Sequence, residues 1–412
     1  MIYSDLSKSI KELIEFHGIP KREVYLDYEN SGLIIPEALR AMEEAYKFNG
    51  RGHPSITHLP GWLSYESLFK ATSIFASIIN CNPEEIVYTH SGSEANNLAI
   101  LGSAVISPKG RRKIFVSSIE HLSVIFPAER LEERGFKLIK IPVDKEGYID
   151  LDFISEHVDD ETLMISVGIV NHEIGTIQDI KALRDITKDK NKEVLIHTDA
   201  CAALGRIKLD MKELDVDLAS FSSHKVYGPK GVGALYIKEG VKLEPIIYGQ
   251  LSTQKLWPGV ENVPGILGFS KAVETIYSNF TEYKSKMIEL RDMLINSILN
   301  NIDHTLLNGP YGDKRSPDNI NISFIYCEGE ALTVELSMNG IYVSSGSACT
   351  SRVLEPSHVL LAIGRRYEEA HGSLLMKVTP FHTKSDMEYV LEVLPRIVNR
   401  LRSISPVKPS NR

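Results

Sequence analysis

Cys349 is the cysteine whose surroundings most favour chemistry. It lies in the stretch VSSGSACTS (343–351), among serine, glycine and alanine, whereas structural cysteines are usually packed among bulky apolar residues. The other cysteines, Cys81, Cys201 and Cys327, are far apart and include no CxxC pair, which argues against a disulfide framework or a thiolate metal site. Cys349 is therefore either a nucleophile on a pliable loop or a small residue in an ordinary loop.

Other reactive side chains occur where apolar runs end. His121 comes shortly after one such run, Asp199 closes another, and Lys225 follows a third. Taken singly, each has an ordinary explanation, since a histidine at a strand end is usually structural and a lysine in a Gly/Pro loop is usually solvated. Asp199 is harder to dismiss, because a carboxylate buried without a partner is costly.

The segment HSGSEANN (90–97) has the composition of an anion-binding helix start. Gly92 allows the backbone to approach a ligand closely, Ser93 is a good N-cap residue, and apolar residues then follow at helical spacing. The free N–H groups and the helix dipole at such a terminus suit a phosphate. The alternative is a well-capped helix that binds nothing.

Together these residues form the set that pyridoxal 5′-phosphate (PLP) requires. Lys225 can form a Schiff base, Asp199 can keep the pyridine nitrogen protonated, and the imidazole of His121 can lie against the ring. The helix start that contains Gly92 and Ser93 can hold the phosphate. The sequence therefore predicts a PLP enzyme.

The elements that must position these residues alternate between apolar runs and helical patterns from about residue 85 to residue 237. The runs lack in/out alternation, which predicts strands buried on both faces in an α/β fold with a mainly parallel, doubly wound sheet. Ligands of such sheets bind outside the carboxyl ends of the strands. Beyond residue 264 the pattern changes to a long, charged helical region (266–301), typical of a smaller α+β domain. We expect a large PLP-binding domain at 21–264 and a small domain, formed by 1–20 and 265–412, that carries Cys349.

Over most of its length the chain resembles the cysteine desulfurases, PLP enzymes of the class V aminotransferase group. The two most specific stretches are SSHKVYGPKG (222–231) and SSGSACTS (344–351). Further similar stretches are YLDY (25–28), GHPS (52–55), VYTHSGSEANNLAI (87–100), EH (120–121), VNHEIGTIQDI (170–180) and HTDA (197–200).

The resemblance implies a fold of type I among PLP-dependent transferases and a role for each matching residue. Lys225 would hold PLP, His121 would stack on the ring and assist proton transfer, and Cys349 would attack the sulfur of a bound cysteine. The remaining cofactor contacts would be Gly92, Ser93, His172, Asp199, Ser222 and His224. The products would be alanine and a persulfide on Cys349, for an acceptor such as an iron–sulfur scaffold protein or a tRNA-thiolation enzyme. The enzyme would be a homodimer.

The resemblance weakens around the substrate. Leu375 stands where the family has the arginine that binds the substrate carboxylate, and leucine cannot do this. Lys377 is two residues further on and shares a strand face with Leu375, so we hypothesise that it substitutes as a point charge. Further departures from the family pattern are His53, His172, Ala202, Trp257 and Val260.

Three readings remain open at this point. The first is a cysteine desulfurase with an altered pocket, the second is a related C–S lyase or aminotransferase, and the third is a catalytically degenerate homologue that acts as a binding protein. The intact Cys349 loop favours the first over the second. Intact Lys225, Asp199 and His121 count against the third.

Composition bounds the remaining possibilities. The chain has 412 residues, of which 43% are apolar and 24% charged, as is usual for a globular protein, and its net charge is −8. The acidic balance and the lack of a long Lys/Arg block argue against direct nucleic-acid or membrane-surface binding. No apolar run is long enough to span a bilayer, and the N-terminus is predicted to form an amphipathic helix that lacks a signal-peptide core. We therefore expect a cytoplasmic protein.

Overall fold

The computed structural model describes residue 15 and residues 18–346 and 356–405. Cys349 and nearly all of the predicted N-terminal helix lie outside the described residues.

The strands and helices of the described residues are numbered along the chain. The strands are β1 (Val24–Tyr25), β2 (Ile86–Thr89), β3 (Lys113–Ser117), β4 (Lys137–Ile141), β5 (Thr162–Ser166), β6 (Leu195–Asp199), β7 (Leu218–Ser222), β8 (Gly233–Ile237), β9 (Thr305–Leu307), β10 (Asn319–Phe324), β11 (Ile341–Tyr342), β12 (Ser344–Ser345) and β13 (Ser373–Lys377). The α-helices are α1 (Pro36–Glu44), α2 (Leu59–Ile79), α3 (Gly92–Val105), α4 (Leu122–Glu132), α5 (Leu151–His157), α6 (Ile180–Lys190), α7 (Met211–Leu214), α8 (Val263–Ser278), α9 (Phe280–Asn301), α10 (Gly329–Met338), α11 (His358–Ala362), α12 (Tyr367–His371) and α13 (Lys384–Ile404). A π-helical turn (Ala45–Asn49) and short 3₁₀ turns (Pro83–Glu85, Ser223–Val226 and Gly312–Lys314) complete the helical structure.

The large sheet has the strand order β2-β8-β7-β6-β5-β3-β4. Neighbouring strands from β7 to β4 pair in parallel, whereas β8 is antiparallel to both β2 and β7. Every residue of β5 and β7 is buried, as expected for strands covered by helices on both faces. The predicted α/β fold with a mainly parallel sheet is confirmed.

The direction of β2 brings a further loop to the site. Because β8 runs opposite to both β2 and β7, β2 points the same way as the parallel strands. Its carboxyl end, which leads into α3, therefore lies at the same edge of the sheet as the ends of β3, β6 and β7. All the strand-end residues singled out above meet at that edge.

A second, antiparallel sheet has the order β12-β13-β10-β9 and packs against helices α9 and α10, which in turn contact α13. It has its own apolar core, which includes Leu290, Ile322 and Leu394. Val24 of β1 belongs to that core, since β1 pairs in parallel with β11. The domain boundary near residue 264 stays a prediction.

Some predicted bounds differ from those observed. The helical region expected over 266–301 consists of two helices, α8 and α9, separated at Asn279. Helix α8 begins earlier than expected, at Val263, because Asn262 is its N-cap and accepts a hydrogen bond from the N–H of Gly265 (3.1 Å).

Candidate active site

A cavity of about 180 Å³ lies at the carboxyl edge of the large sheet. Its walls contain every residue predicted to contact the cofactor, namely Gly92, Ser93, His121, His172, Asp199, Ser222, His224 and Lys225. The fold thus brings together residues that are dispersed over more than a hundred positions of the sequence.

The N-terminus of α3 forms one wall of this cavity. The structure corrects the predicted N-cap: Ser91, not Ser93, caps the helix, and its Oγ accepts the N–H of Glu94 (3.1 Å). Ser93 lies in the first turn, where N–H groups have no partner within the helix. A phosphate placed there would meet those N–H groups and the positive end of the helix dipole.

Asp199 ends β6 and is held by two donors. Its Oδ2 accepts from Asn96 Nδ2 (2.8 Å) and its Oδ1 from the N–H of Cys201 (2.8 Å). Asn96 also donates to Ser123 Oγ (2.8 Å), and its own Oδ1 is buried without a partner. These contacts orient the carboxylate and make it suited to pair with a pyridine nitrogen.

Two histidines face each other across the cavity wall. His121 is the N-cap of α4, and its Nδ1 accepts the N–H of Ser123 (3.1 Å), which leaves the proton of the neutral ring on Nε2. The rings of His121 and His172 meet edge to face with centroids 5.1 Å apart. Burial lowers the pKa of His121 and lowers that of His172 well below its usual range, so both rings are neutral at pH 7.

Lys225 lies in the 3₁₀ turn that follows β7, and its Nζ contacts Glu29. It is 2.5 Å from the Glu29 carbonyl oxygen and forms an ion pair with Oε1 of the same residue. The other carboxylate oxygen, Oε2, lies 3.3 Å from the Nζ of Lys377. Sequence reasoning missed Glu29, although it also lines the cavity.

Lys377 lies at the end of β13 and is 2% exposed. Besides Glu29, its Nζ has Asp318 Oδ1 at 3.8 Å. Lys377 therefore adjoins the cavity through Glu29, and its role in binding a substrate carboxylate stays a prediction.

A smaller cavity of about 30 Å³ adjoins the first and shares Glu29, Asn30, His121 and His172 with it. Leu375 lines it, together with residues that flank the Cys349 segment: Ser344, Ser345, Gly346, Ser357 and His358. Both flanks of that segment therefore border the cavity that continues from the predicted cofactor site.

The described cysteines are poor candidates for a thiolate. Burial raises the pKa of Cys81 to about 12, raises that of Cys327, and raises that of Cys201 well above its usual range. Cys201 packs beneath the start of α3, within the site but as a neutral thiol.

The other residues that depart from the family pattern lie in different parts of the structure. Ala202 lines the main cavity, whereas Trp257 and Val260 line a separate small cavity beside His90. His53 is half-buried, and its Nδ1 pairs locally with Ser55 Oγ at 3.0 Å.

Comparison with known proteins decides the family. Residues 24–379 match the aminotransferase class-V family. The chain is 42% identical over 383 residues to cysteine desulfurase IscS 1 of Archaeoglobus fulgidus, an alignment that covers 93% of this chain and 99% of the relative. It is also 42% identical over 387 residues to cysteine desulfurase IscS of Clostridium botulinum, covering 94% and 97% of the two chains. The chain belongs to the cysteine desulfurase family.

Two solved structures share the fold of this chain. A NifS-like protein superposes with a TM-score of 0.85 at 31% identity, over 93% of this chain and all (100%) of that one. SspA in complex with cysteine superposes with a TM-score of 0.76 at 28% identity, over 87% of this chain and 99% of that one.

Cysteine desulfurases, like class V aminotransferases in general, depend on PLP, and the lysine, carboxylate, imidazole and helix terminus of this cavity fit that cofactor. Among the described residues, no helix is long and apolar enough to cross a membrane.

Proposed function

We propose that the protein is a PLP-dependent cysteine desulfurase that converts L-cysteine to L-alanine and leaves the sulfur as a persulfide on Cys349. The observation that carries the proposal is one cavity lined by Lys225, Asp199, His121 and the N-terminus of α3. The flanks of the Cys349 segment border the adjoining cavity, which supports the sulfur-accepting role of that residue.

When bound, PLP supplies an electron sink for the carbanion that forms when the substrate loses its α-proton. Lys225 would hold it, Asp199 would keep its ring nitrogen protonated, and the N–H groups near Ser93 would bind its phosphate. His121, neutral and with its proton on Nε2, is suited to stacking on the ring and to proton transfer.

The sulfur step balances without an external oxidant or reductant. The thiolate of Cys349 attacks the substrate sulfur, a sulfur–sulfur bond forms, and the carbon–sulfur bond of the substrate breaks. The electron pair of that bond stays with the substrate carbon, which takes up a proton and ends as the methyl group of alanine. The sulfur is oxidised and the carbon is reduced by the same amount.

The persulfide would pass to an acceptor protein, such as an iron–sulfur scaffold or a tRNA-thiolation enzyme. The enzyme would act in the cytoplasm as a homodimer. An exposed apolar face on α2, which includes Trp62 and Phe69, supports the dimer.

Absorbance spectroscopy tests the cofactor. We expect a yellow protein whose visible band disappears on treatment with borohydride and is absent from Lys225→Ala. Lys230→Ala is the matched control, because Lys230 is an exposed lysine in the same loop, and it should keep the band. A colourless protein after saturation with PLP would contradict the proposal.

Product analysis tests the reaction. With cysteine and a reductant we expect alanine and sulfide in equal amounts, abolished in Cys349→Ser and retained in Cys81→Ser. Pyruvate with ammonia would instead indicate a C–S lyase. Absence of all products from a protein with bound PLP would indicate a degenerate homologue.

A further inference from the structure

Glu29 joins the two lysines of the site. One carboxylate oxygen forms an ion pair with Lys225, and the other lies 3.3 Å from Nζ of Lys377. The residue is buried, with 8% of its surface exposed. Burial alone would raise the pKa of Glu29, but the charges of Lys225 and Lys377 outweigh it and lower the pKa, so the carboxylate is ionised.

The cation of Lys377 already has its counter-ions. Its Nζ lies between Glu29 and Asp318, and Asp318 is held in place by Arg206 Nε (2.6 Å) and Ser316 Oγ (2.6 Å). Apart from Lys225, which the cofactor would engage, two cations, Lys377 and Arg206, face two carboxylates, Glu29 and Asp318. This cluster then has no net charge with which to attract a further anion.

Glu29 also occupies the wall where a substrate would lie. It lines both the main cavity and the smaller cavity that adjoins it, and the smaller cavity is also lined by the apolar Leu375. A substrate carboxylate at this wall would meet a like charge before it met Lys377. Like charges in a partly desolvated site repel each other strongly.

We propose that Glu29 is a specificity-determining residue that occupies Lys377 and thereby weakens the hold of the pocket on the substrate carboxylate. The inference rests on the proposed function, because it takes the substrate to be an amino acid bound at this cavity. It follows that Lys377 can bind a substrate carboxylate only when the charge of Glu29 is removed.

Equilibrium binding to the PLP-loaded protein tests the inference without any turnover of sulfur. Ethylamine is alanine without its carboxylate, so the pair isolates the contribution of that group. The binding of each compound is measured through the absorbance of the bound cofactor. In Glu29→Gln we expect the affinity for alanine to rise about tenfold, the size of one charge-assisted hydrogen bond. The affinity for ethylamine should be unchanged.

Two further variants identify the group responsible. Glu29→Asp keeps the negative charge and should keep the low affinity for alanine. The double variant Glu29→Gln with Lys377→Met should lose the tenfold gain. An equal change for alanine and ethylamine in Glu29→Gln, or a gain that survives the loss of Lys377, would overturn the inference.

Lys377→Met alone gives an independent measurement should Glu29→Gln fail to fold. Because Lys377 is already paired with Glu29, its loss removes no contact with the substrate, and the uncompensated charge of Glu29 should lower the affinity for alanine by less than about tenfold. A fall of about tenfold or more, the size of one charge-assisted hydrogen bond, would show that Lys377 binds the carboxylate directly and would refute the masking role of Glu29. Failure of the proposed function is recognised separately, since it would appear in the parent protein as a lack of alanine and sulfide from cysteine.

Discussion

Glu173 is a buried carboxylic acid beside Gly346 and Ser357, the described residues that flank the Cys349 segment. Its Oε2 accepts a hydrogen bond from Ser357 Oγ (2.6 Å), while its Oε1 has no hydrogen-bond partner. Burial raises the pKa of Glu173 from 4.5 to about 8. The side chain is therefore largely protonated at pH 7 and can pack beside Gly346 without an unpaired charge.

The raised pKa predicts a pH-dependent stability. Protonation stabilises the folded state, fully below the unfolded pKa near 4.5, and this contribution is lost as the pH rises through about 8. Between pH 7 and pH 9, urea denaturation of the cofactor-free protein should show an unfolding free energy that falls by about 1.4 kcal/mol more than in Glu173→Gln.

Glu193→Gln, which removes an exposed carboxylate, is the control and should follow the parent. The same pH dependence in the parent and in Glu173→Gln would show that Glu173 is not the titrating group.

Individual site residues differ in how well the sequence predicts them. Asp199 and Lys225 were predictable because they follow apolar runs, and the ends of parallel strands share one edge. Glu29 was not predictable, because its partner Lys225 lies 196 residues away in the sequence. Glu29 also follows a strand of only 2 residues, which leaves no clear apolar run in the sequence. Asn96 could be inferred only weakly, because it lies one helical turn after Gly92 and so on the same face of the helix.

At the scale of elements, the start of α3 packs unusually close to the strands beneath it. A Cβ on Gly92 would lie 2.6 Å from Sγ of Cys201 and 3.2 Å from Cβ of Ser222. Both neighbours belong to the carboxyl edge of the sheet, Cys201 just after β6 and Ser222 at the end of β7. The missing side chain of Gly92 therefore lets the helix terminus reach the cavity.

Gly92→Ala should push α3 away from the sheet. We expect a loss of about 1–3 kcal/mol in unfolding free energy, the usual effect of overpacking, together with weaker PLP binding. Denaturation and cofactor titration measure the two effects.

The control uses the nearest neighbour. In a Cys201→Ala background the nearest clash is removed, so Gly92→Ala should lower the unfolding free energy by less than it does in the parent. Such non-additivity is expected for residues in contact. An equal cost in both backgrounds would mean that the close approach to Cys201 does not limit the position of α3.

At the same scale, element types and sheet direction followed from the sequence better than their bounds did. Strands buried on both faces leave continuous apolar runs, which is why the alternation of strands and helices between residues 85 and 237 could be predicted. The break at Asn279 was missed because the helical pattern continues on both sides of it. The choice between Ser91 and Ser93 as N-cap depends on backbone geometry that residue type does not specify.

At the scale of the whole molecule, one helix face has no covering element among the described residues. Leu59, Trp62, Tyr65 and Phe69 lie along one side of α2 and are each about half exposed or more. The spacing places them within a single stripe of the helix surface. A contiguous apolar stripe of this kind is typical of a protein–protein interface.

The combined variant Trp62→Glu and Phe69→Glu should convert the proposed dimer to a monomer, because charges are costly at the core of an interface. Sedimentation velocity measures the change in mass. Ile404→Glu, at an exposed apolar residue of α13, is the control and should remain dimeric. A dimer that survives the double substitution would place the interface elsewhere.

The segment that carries Glu29 has a consequence for how the enzyme is made. Leu26 donates its N–H to Tyr342 (2.8 Å) and accepts the N–H of Lys377 (2.8 Å), so β11 and β13 hold this early segment in place. Residues of these strands leave the ribosome long after Lys225 and Asp199 do. During translation the wall around Glu29 therefore stays unformed until residue 377 has emerged, and a nascent chain arrested earlier would present an incomplete pocket to the cofactor.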